Sequence, residues 1–293
     1  MELGYVGLGA MGGALARRLM LSHKLRVLDL RPEVITEFTD NGAIPAQDGA
    51  SLARECDIIL LCLPRSADVR EAIFGPGGLA EGLDSGKIII DQTSGNPDET
   101  RAMAAELAEK GITMIDAPVS GGPAGADAGT IAIMVGGSAE IFGKVKPYLE
   151  SISPNVMHCG DIGNGHVVKL VNNTMAACNR LAMLEAVAMG RKYGLSLEVM
   201  NDVINKSSGR SGASERGLPA MIEGVPSSNF AMALMLKDVT LATQLGINCG
   251  APMLLHNIAR GMLQNGLHLC GPEANTDDTA ELVEAMADMK FRE

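Results

Sequence analysis

Residues 160–194, GDIGNGHVVKLVNNTMAACNRLAMLEAVAMGRKYG, separate two kinds of sequence pattern. The stretch opens on glycines at 160, 163 and 165, where the backbone can turn freely. No proline follows up to Tyr193. Alanine, leucine and methionine, all strong helix formers, predominate until Gly194 supplies a stop. The pattern predicts one helix of roughly 30 residues, about 45 Å long and longer than a small domain is wide. From Val167 to Met189 the only charged residues are Lys169, Arg180 and Glu185. A helix so apolar on every side is expected to be buried all round, as the spine between two domains or the core of a subunit contact.

Lys169 falls in the first turns of that helix, with Asn172 and Asn173 three and four positions on, which places the three on one helical face. A lysine in apolar surroundings loses hydration of its charged form, so its pKa is expected to fall toward the range in which it can give or take a proton. The competing reading is that Lys169 snorkels to solvent and the asparagines satisfy loop carbonyls.

Ahead of the helix, strands and helices alternate. Residues 3–7 read as a short buried strand, Gly7-Leu8-Gly9-Ala10-Met11-Gly12 follows at once, and a helix is expected over 13–21. Strand, GxGxxG, helix is the context of a dinucleotide fingerprint, in which glycine backbone approaches a pyrophosphate at a helix N-terminus. The next strand, 25–30, carries Asp29, placed to accept hydrogen bonds from the adenosine ribose. Asp29 favours NAD, since it would repel the 2′-phosphate of NADP; Arg31, two positions on, can pair with that phosphate and keeps NADP open. Further strands are expected near 43–45 and over 57–63, 87–91 and 112–117. Helices are expected over 32–40, 48–55, 66–73 and 97–110. Such alternation gives a Rossmann-like, doubly wound parallel sheet whose ligands bind beyond the carboxyl ends of the strands. Leu63-Pro64 and Asp91-Gln92-Thr93-Ser94 are two such ends. Ser120, Gly121 and Gly122 offer a hydroxyl and closely spaced N–H groups suited to a carboxylate. Strands near 130–136 and 154–159 around a helix over 138–150 complete a dinucleotide-binding domain, residues 1–162.

After Cys159 no strand pattern appears. Helices are expected over 197–206, 231–245, 252–264 and 276–289, so residues 163–293 read as an all-α domain for substrate binding and oligomerisation. In the second of these helices Lys237-Asp238 interrupts an apolar pattern. A second lysine near Lys169 would lower its proton affinity further; the alternative is a surface ion pair.

The bulk composition excludes several partners. A net charge of −11, from 24 basic and 35 acidic residues, argues against nucleic acid and anionic membranes. No Trp, three Tyr and five Phe leave little for base stacking. The six cysteines form no C-x-x-C pair and no metal-ligand spacing with the five histidines, so no metal is expected and reduced thiols in the cytoplasm are the simplest reading. Met1 leads almost directly into a strand, and no uncharged apolar run of about 18 residues occurs, so neither a signal peptide nor a membrane span is expected.

Together these pieces resemble the β-hydroxyacid dehydrogenase family over nearly the whole chain. GLGAMG (7–12) is similar to its cofactor motif and DAPVSGGPAGADAGT (116–130) to its substrate motif. GNGHVVKLVNN (163–173) fits its pattern G-x-G-x-x-x-K-x-x-N-N, and LKDVTLA (236–242) its late Lys-Asp motif. The resemblance implies that Lys169 is the acid/base, that Asn173 orients the substrate, and that Ser120, Gly121 and Gly122 hold its carboxylate. It also implies that Leu63, Pro64, Ser94 and Lys237 approach the cofactor, with Lys237 also near the substrate. The activity implied is NAD(P)-dependent interconversion of a small 3-hydroxyisobutyrate-like 3-hydroxycarboxylate and its semialdehyde. Glyoxylate, succinic and tartronate semialdehyde reductases share the framework, and a non-catalytic cofactor-binding protein is the alternative of a different class. The long helix implies a homodimer or homotetramer. Departures from the family pattern are Ala14 and Arg18 where proline and asparagine are common, Thr93-Ser94 in place of Ser-Thr, and His166 where glutamine is frequent.

Overall fold

The computed structural model describes residues 1–292. The chain forms two compact units, Met1–Lys169 and Leu170–Glu293, so the division falls inside the long helix, just after Lys169.

The first unit is built on six parallel strands: β1 (Leu3–Val6), β2 (Leu25–Leu28), β3 (Ile44–Pro45), β4 (Ile58–Leu61), β5 (Ile88–Asp91) and β6 (Thr113–Asp116). They lie in the order β3-β2-β1-β4-β5-β6. The connecting helices are α1 (Ala10–Met20), α2 (Pro32–Asp40), α3 (Gly49–Glu55), α4 (Ser66–Phe74) and α5 (Pro97–Ala108). The central strands are apolar without alternation, as in β4, IILL, because a parallel sheet covered by helices is buried on both faces. Ile58 and Leu60 enter one core with Leu15 and Leu19, while Ile59 and Leu61 enter the other with Leu52, Val69 and Met103. Each such fully buried aliphatic side chain contributes roughly 1.5–3 kcal/mol. Strand order 3-2-1-4-5-6 is the doubly wound arrangement, whose switch point lies between β1 and β4.

A second sheet follows, β7 (Val119–Ser120), β8 (Ala132–Val135) and β9 (Val156–His158), with β7 antiparallel and β9 parallel to β8. It carries α6 (Gly122–Asp127) and α7 (Ala139–Glu150). Backbone hydrogen bonds between Asp116 and Gly136, of 2.7 and 3.1 Å, tie β6 to the residue after β8.

The long helix is α8 (Asn164–Lys192). Its entry turns through Gly160 and Gly163, at φ of +95° and +87°, where a side chain would be strained. Arg101 clamps that turn, donating to the Ile162 carbonyl at 3.1 Å and to Asn164 Oδ1 at 3.3 Å. Within the single chain the helix is buried along one side. Leu170, Leu184 and Val187 are buried, but Val171, Met175 and Met189 are 53, 56 and 72% exposed. The helix has a largely apolar face that the described residues do not cover. Because apolar residues line both sides, the sequence carries little contrast to tell one from the other.

The second unit adds α9 (Leu197–Asn205), α10 (Gly212–Glu223), α11 (Met232–Cys249), α12 (Leu254–Cys270) and α13 (Thr279–Ala287). The helix α10 is not among the elements expected from the sequence, and Pro219 lies within it. It forms because Ser211 and Ser214 cap it reciprocally, and Leu218 and Ala220 bury against the neighbouring helices. No described helix is long and apolar enough to cross a membrane.

Two glycines with opposite surroundings test this packing. A Cβ on Gly165 would lie 2.3 Å from the Met134 carbonyl oxygen and 2.8 Å from Asp116 Oδ2, whereas a Cβ on Gly143, inside α7, would meet nothing within 4 Å. In denaturant unfolding, Gly165→Ala should destabilise by about 1–3 kcal/mol. Gly143→Ala should stabilise by about 0.5–1 kcal/mol. Equal effects of the two would show that α8 does not sit as tightly on β8 as described.

Candidate active site

At the carboxyl edge of the parallel sheet, the turn after β1 is compact for a steric reason. Gly7 has φ +89°, and a Cβ there would lie 2.5 Å from the Cys62 carbonyl oxygen; a Cβ on Gly12 would lie 2.0 Å from the Gly7 carbonyl oxygen. Gly9 is different. It is the N-cap of α1 with no side-chain cap, as in α2 and α4 and unlike α3, α5 and α7, which Asp48, Asn96 and Ser138 cap. The nearest atom to a Cβ on Gly9 would be Arg31 Nη2, at 4.0 Å. The first N–H groups of α1, from Gly9 through Ala10 and Met11 to Gly12, therefore form an open cradle that can hold a dinucleotide pyrophosphate. The helix starts at Ala10 rather than at 13, so the loop is itself the first turn.

Asp29, just past β2, closes this loop from the side. Its Oδ2 accepts the Leu8 N–H at 2.7 Å and Arg31 Nη2 at 3.2 Å, and its Oδ1 accepts the Arg31 backbone N–H and Nε, each at 3.0 Å. Desolvation acts to raise the Asp29 pKa, but these hydrogen bonds from Arg31 and Leu8 prevail and hold the carboxyl below its ordinary range.

The ends of β4 and β5 lie beside the loop. The Leu63 N–H donates to Thr93 Oγ1 at 3.0 Å, the Leu63 side chain packs at Gly7, and Pro64 follows. Thr93 N–H donates to Asp91 Oδ1 at 2.9 Å, which fixes the turn that carries Ser94. Gly7–Gly12, Asp29, Leu63, Pro64 and Ser94 thus share the edge formed by adjacent strand ends. In the second sheet Ser120 ends β7, and Gly121 and Gly122 enter α6 at φ of +144° and +71°. A Cβ on Gly122 would meet no atom within 4 Å, so its surroundings are open.

Lys169 is placed by a residue to which sequence reasoning assigned no role. The helix α8 has no acidic residue in its first turn. Its N-terminal N–H groups are satisfied from outside by Asp116, whose Oδ1 accepts Gly163 N–H at 2.6 Å and whose Oδ2 accepts His166 N–H at 2.7 Å. Glycine at 136 and 165 makes room, since a Cβ on either would lie within 2.8 Å of an Asp116 carboxylate oxygen. Burial raises the Asp116 pKa, against the opposing pull of His166 and the two N–H groups, and Asp91 adds to the rise. The only sequence signal was negative: an uncapped glycine-rich helix entry must find its cap elsewhere. One turn beyond this anchor Lys169 is 7% exposed, so its side chain does not snorkel into solvent.

In the second unit Asn173, buried, donates its amide to Asp238 Oδ2 at 2.6 Å. Lys237 Nζ lies 3.3 Å from Asp238 Oδ1. Asp238 is 1% exposed, which corrects the surface ion-pair alternative. A buried carboxylate joins Asn173 to Lys237.

Comparison with known proteins matches the chain to two family models. Residues 2–160 match the model for the NAD binding domain of 6-phosphogluconate dehydrogenase. Residues 163–285 match the NAD-binding domain of NADP-dependent 3-hydroxyisobutyrate dehydrogenase. The 2-(hydroxymethyl)glutarate dehydrogenase of Eubacterium barkeri is 38% identical over 267 residues, 90% of this chain and 89% of that protein. The chain belongs to the β-hydroxyacid dehydrogenase family. Human mitochondrial 3-hydroxyisobutyrate dehydrogenase is 33% identical over 276 residues, 90% of this chain and 82% of that one. The solved Mycobacterium tuberculosis 3-hydroxyisobutyrate dehydrogenase with L-serine has TM-score 0.88 and 28% identity, covering 97% of this chain and 99% of its own. As a β-hydroxyacid dehydrogenase, the protein is an oxidoreductase that acts on CH–OH with NAD or NADP.

The open cradle at Gly9 and the carboxylate of Asp29 fit a dinucleotide, and they lead to an expectation about which one this β-hydroxyacid dehydrogenase prefers. Asp29 engages Arg31 through both its oxygens, which holds the guanidinium to the carboxylate and away from pairing with a 2′-phosphate. We expect kcat/KM with NAD to exceed that with NADP by at least about ten-fold, roughly 1.4 kcal/mol. Asp29→Asn, which releases Arg31, should move the ratio toward NADP. A parent enzyme that favours NADP would overturn the assignment, and Arg31→Ala should then weaken NADP selectively.

Proposed function

We propose that this enzyme interconverts a small 3-hydroxycarboxylate of the 3-hydroxyisobutyrate type and its semialdehyde, with Lys169 as the acid/base. The observation that carries the reading is a buried lysine one turn beyond a rigidly capped helix N-terminus, in a chain whose other conspicuous polar groups suit a dinucleotide and a carboxylate. The named substrates of the two relatives support it. 3-Hydroxyisobutyrate and 2-(hydroxymethyl)glutarate both carry a hydroxymethyl group on the carbon next to a carboxylate. One carboxylate grip can therefore serve either, while the remaining substituent varies.

In this reading Ser120 Oγ and the N–H groups of Gly121 and Gly122 hold the carboxylate, which fixes the carbinol carbon by distance. Asn173 orients the substrate hydroxyl, and Asp238 holds the Asn173 amide in place. Lys169, in its amine form, takes the hydroxyl proton during oxidation and returns it from the ammonium form during reduction. The bound nicotinamide supplies the hydride chemistry. Leu63, Pro64 and Ser94 flank it from the strand ends, and Lys237 serves both cofactor and substrate. The six free thiols fit a reducing, cytoplasmic setting.

Lys169→Ala should lower kcat by about 10²–10⁴-fold. NADH affinity, read separately by fluorescence, should hold. Lys169→Arg should be nearly as poor, because a guanidinium stays protonated. Lys237→Ala should weaken cofactor or substrate binding along with rate. Single-turnover hydride transfer in Lys169→Ala within a few-fold of the parent would move the proton-carrying role elsewhere.

The same reading includes a homo-oligomer, a dimer or tetramer. Val171, Met175 and Met189 lie exposed on one face of α8, and a second copy is the occupant that the expected symmetric assembly supplies. Light scattering should give a multiple of 30.6 kDa. Full activity in a monomer would sink this part of the proposal.

A further inference from the structure

The turn of α8 that carries Lys169 also buries a second titratable side chain. His166, three positions earlier, is 0% exposed, and one segment of chain holds its ring from two sides. The Gly95 N–H points at Nδ1, 3.4 Å away, and Nε2 faces Asp91 Oδ2 at 3.5 Å. Asp91 is likewise 0% exposed at the end of β5. Both contacts are long, yet neither Nε2 nor Oδ2 has another hydrogen-bond partner, and buried polar atoms in native folds are paired. A backbone N–H can only donate, so Nδ1 bears the lone pair and the ring proton lies on Nε2, directed at the Asp91 carboxylate. Gly95 permits the approach. A Cβ there would lie 2.8 Å from Ser66 Oγ and 3.4 Å from both Cε1 and Nε2 of His166. The His166 backbone N–H is meanwhile fixed by Asp116.

We propose that His166 is a positioning residue that latches the 91–95 segment, with Ser94, to the turn of α8 bearing Lys169. Strand β5 fixes Asp91 and the capped helix fixes His166, so the latch sets the distance between the cofactor-flanking turn and the proton carrier. The inference rests on the reading of Lys169 as that carrier. Its chemistry needs one donor toward Asp91 and one acceptor toward Gly95. Glutamine retains both, leucine retains neither, and asparagine at 91 turns a donor toward the Nε2–H.

The test uses the full-length enzyme with NAD and 3-hydroxyisobutyrate. His166→Gln should transfer hydride within about two-fold of the parent, close to the error of such comparisons. His166→Leu and Asp91→Asn should each be slower by about 10–100-fold, the scale of a misplacement near 1 Å. KM for NAD should stay nearly unchanged, and the double variant should be about as slow as either single one, since one interaction is lost once. Histidine side-chain nitrogen NMR should show the Nε2–H tautomer at His166 in the parent and lose it in Asp91→Asn. That readout is independent of which group carries the proton. If Lys169→Ala proves active while the tautomer stands, the acid/base reading has failed and the latch has not. The latch itself is overturned by an Nδ1–H tautomer in the parent, by His166→Leu at the parental rate, or by His166→Gln as slow as His166→Leu. Should His166→Leu not fold, the near-isosteric Asp91→Asn decides on the same criteria.

Discussion

The Asp116 carboxylate receives the N–H groups of Gly163 and His166 at 2.6 and 2.7 Å, and that contact anchors the turn of α8 that carries Lys169. A helix N-terminus carries partial positive charge and unsatisfied donors, and a carboxylate against it answers both needs. Each such hydrogen bond to a charged acceptor contributes roughly 1.5–3 kcal/mol. Burial nevertheless holds the Asp116 pKa above its ordinary value. The sign of the linkage is therefore the less common one for an aspartate. Its stabilising contribution is complete below the unfolded pKa, near 3.9, and diminishes as pH rises through the raised folded value. Above that range the carboxylate, once ionised, orients α8 at some cost to stability, as a group kept for position would.

The glycines around this carboxylate and those around the cofactor loop solve similar problems with different geometry. Gly7 and Gly12 let one backbone segment lie against another, and Gly136 and Gly165 let two segments close around a side chain. Gly9 is the exception, with open space before it. Steric need and ligand need can thus be told apart within a single GxGxxG loop: the first and last glycines shape the turn, and the middle one leaves room for what binds there. Two carboxylates buried at adjacent strand ends, Asp91 and Asp116, then grip a single residue, His166, one by its ring and the other by its backbone. That residue lies one helical turn from Lys169, so the cofactor edge of the sheet and the start of α8 are held by one connected polar network. In the helical unit Asp238 plays a comparable part for Asn173 and Lys237.

The sheet was legible from alternation, from the unbroken apolar runs of the central strands, and from the loop that follows β1. The long helix was legible from the absence of proline between its glycine boundaries. Lys169 and Asn173 could be singled out because charge and amide groups are scarce on that helix. The partners of Asp116, Asp91 and Asp238 could not be read, because they lie far along the chain: Asp116 meets His166 across 50 residues, and Asp238 meets Asn173 across 65. An acidic residue at a strand end looks the same in sequence whether it faces water or caps a distant helix. The exposed side of α8 and the proline-containing α10 were not legible for a related reason. Composition reports how apolar a helix is, and only packing reports which side is covered.

Amide hydrogen exchange at Gly163 and His166, compared between the parent and Asp116→Ala, tests the anchoring of α8 most directly. In the parent both amides should exchange as slowly as those of the central strand β4. In the variant their protection should fall by at least about ten-fold, with single-turnover hydride transfer falling in step, because the turn bearing Lys169 is released. Fast exchange at these amides in the parent, or unchanged protection and rate in the variant, would contradict the account.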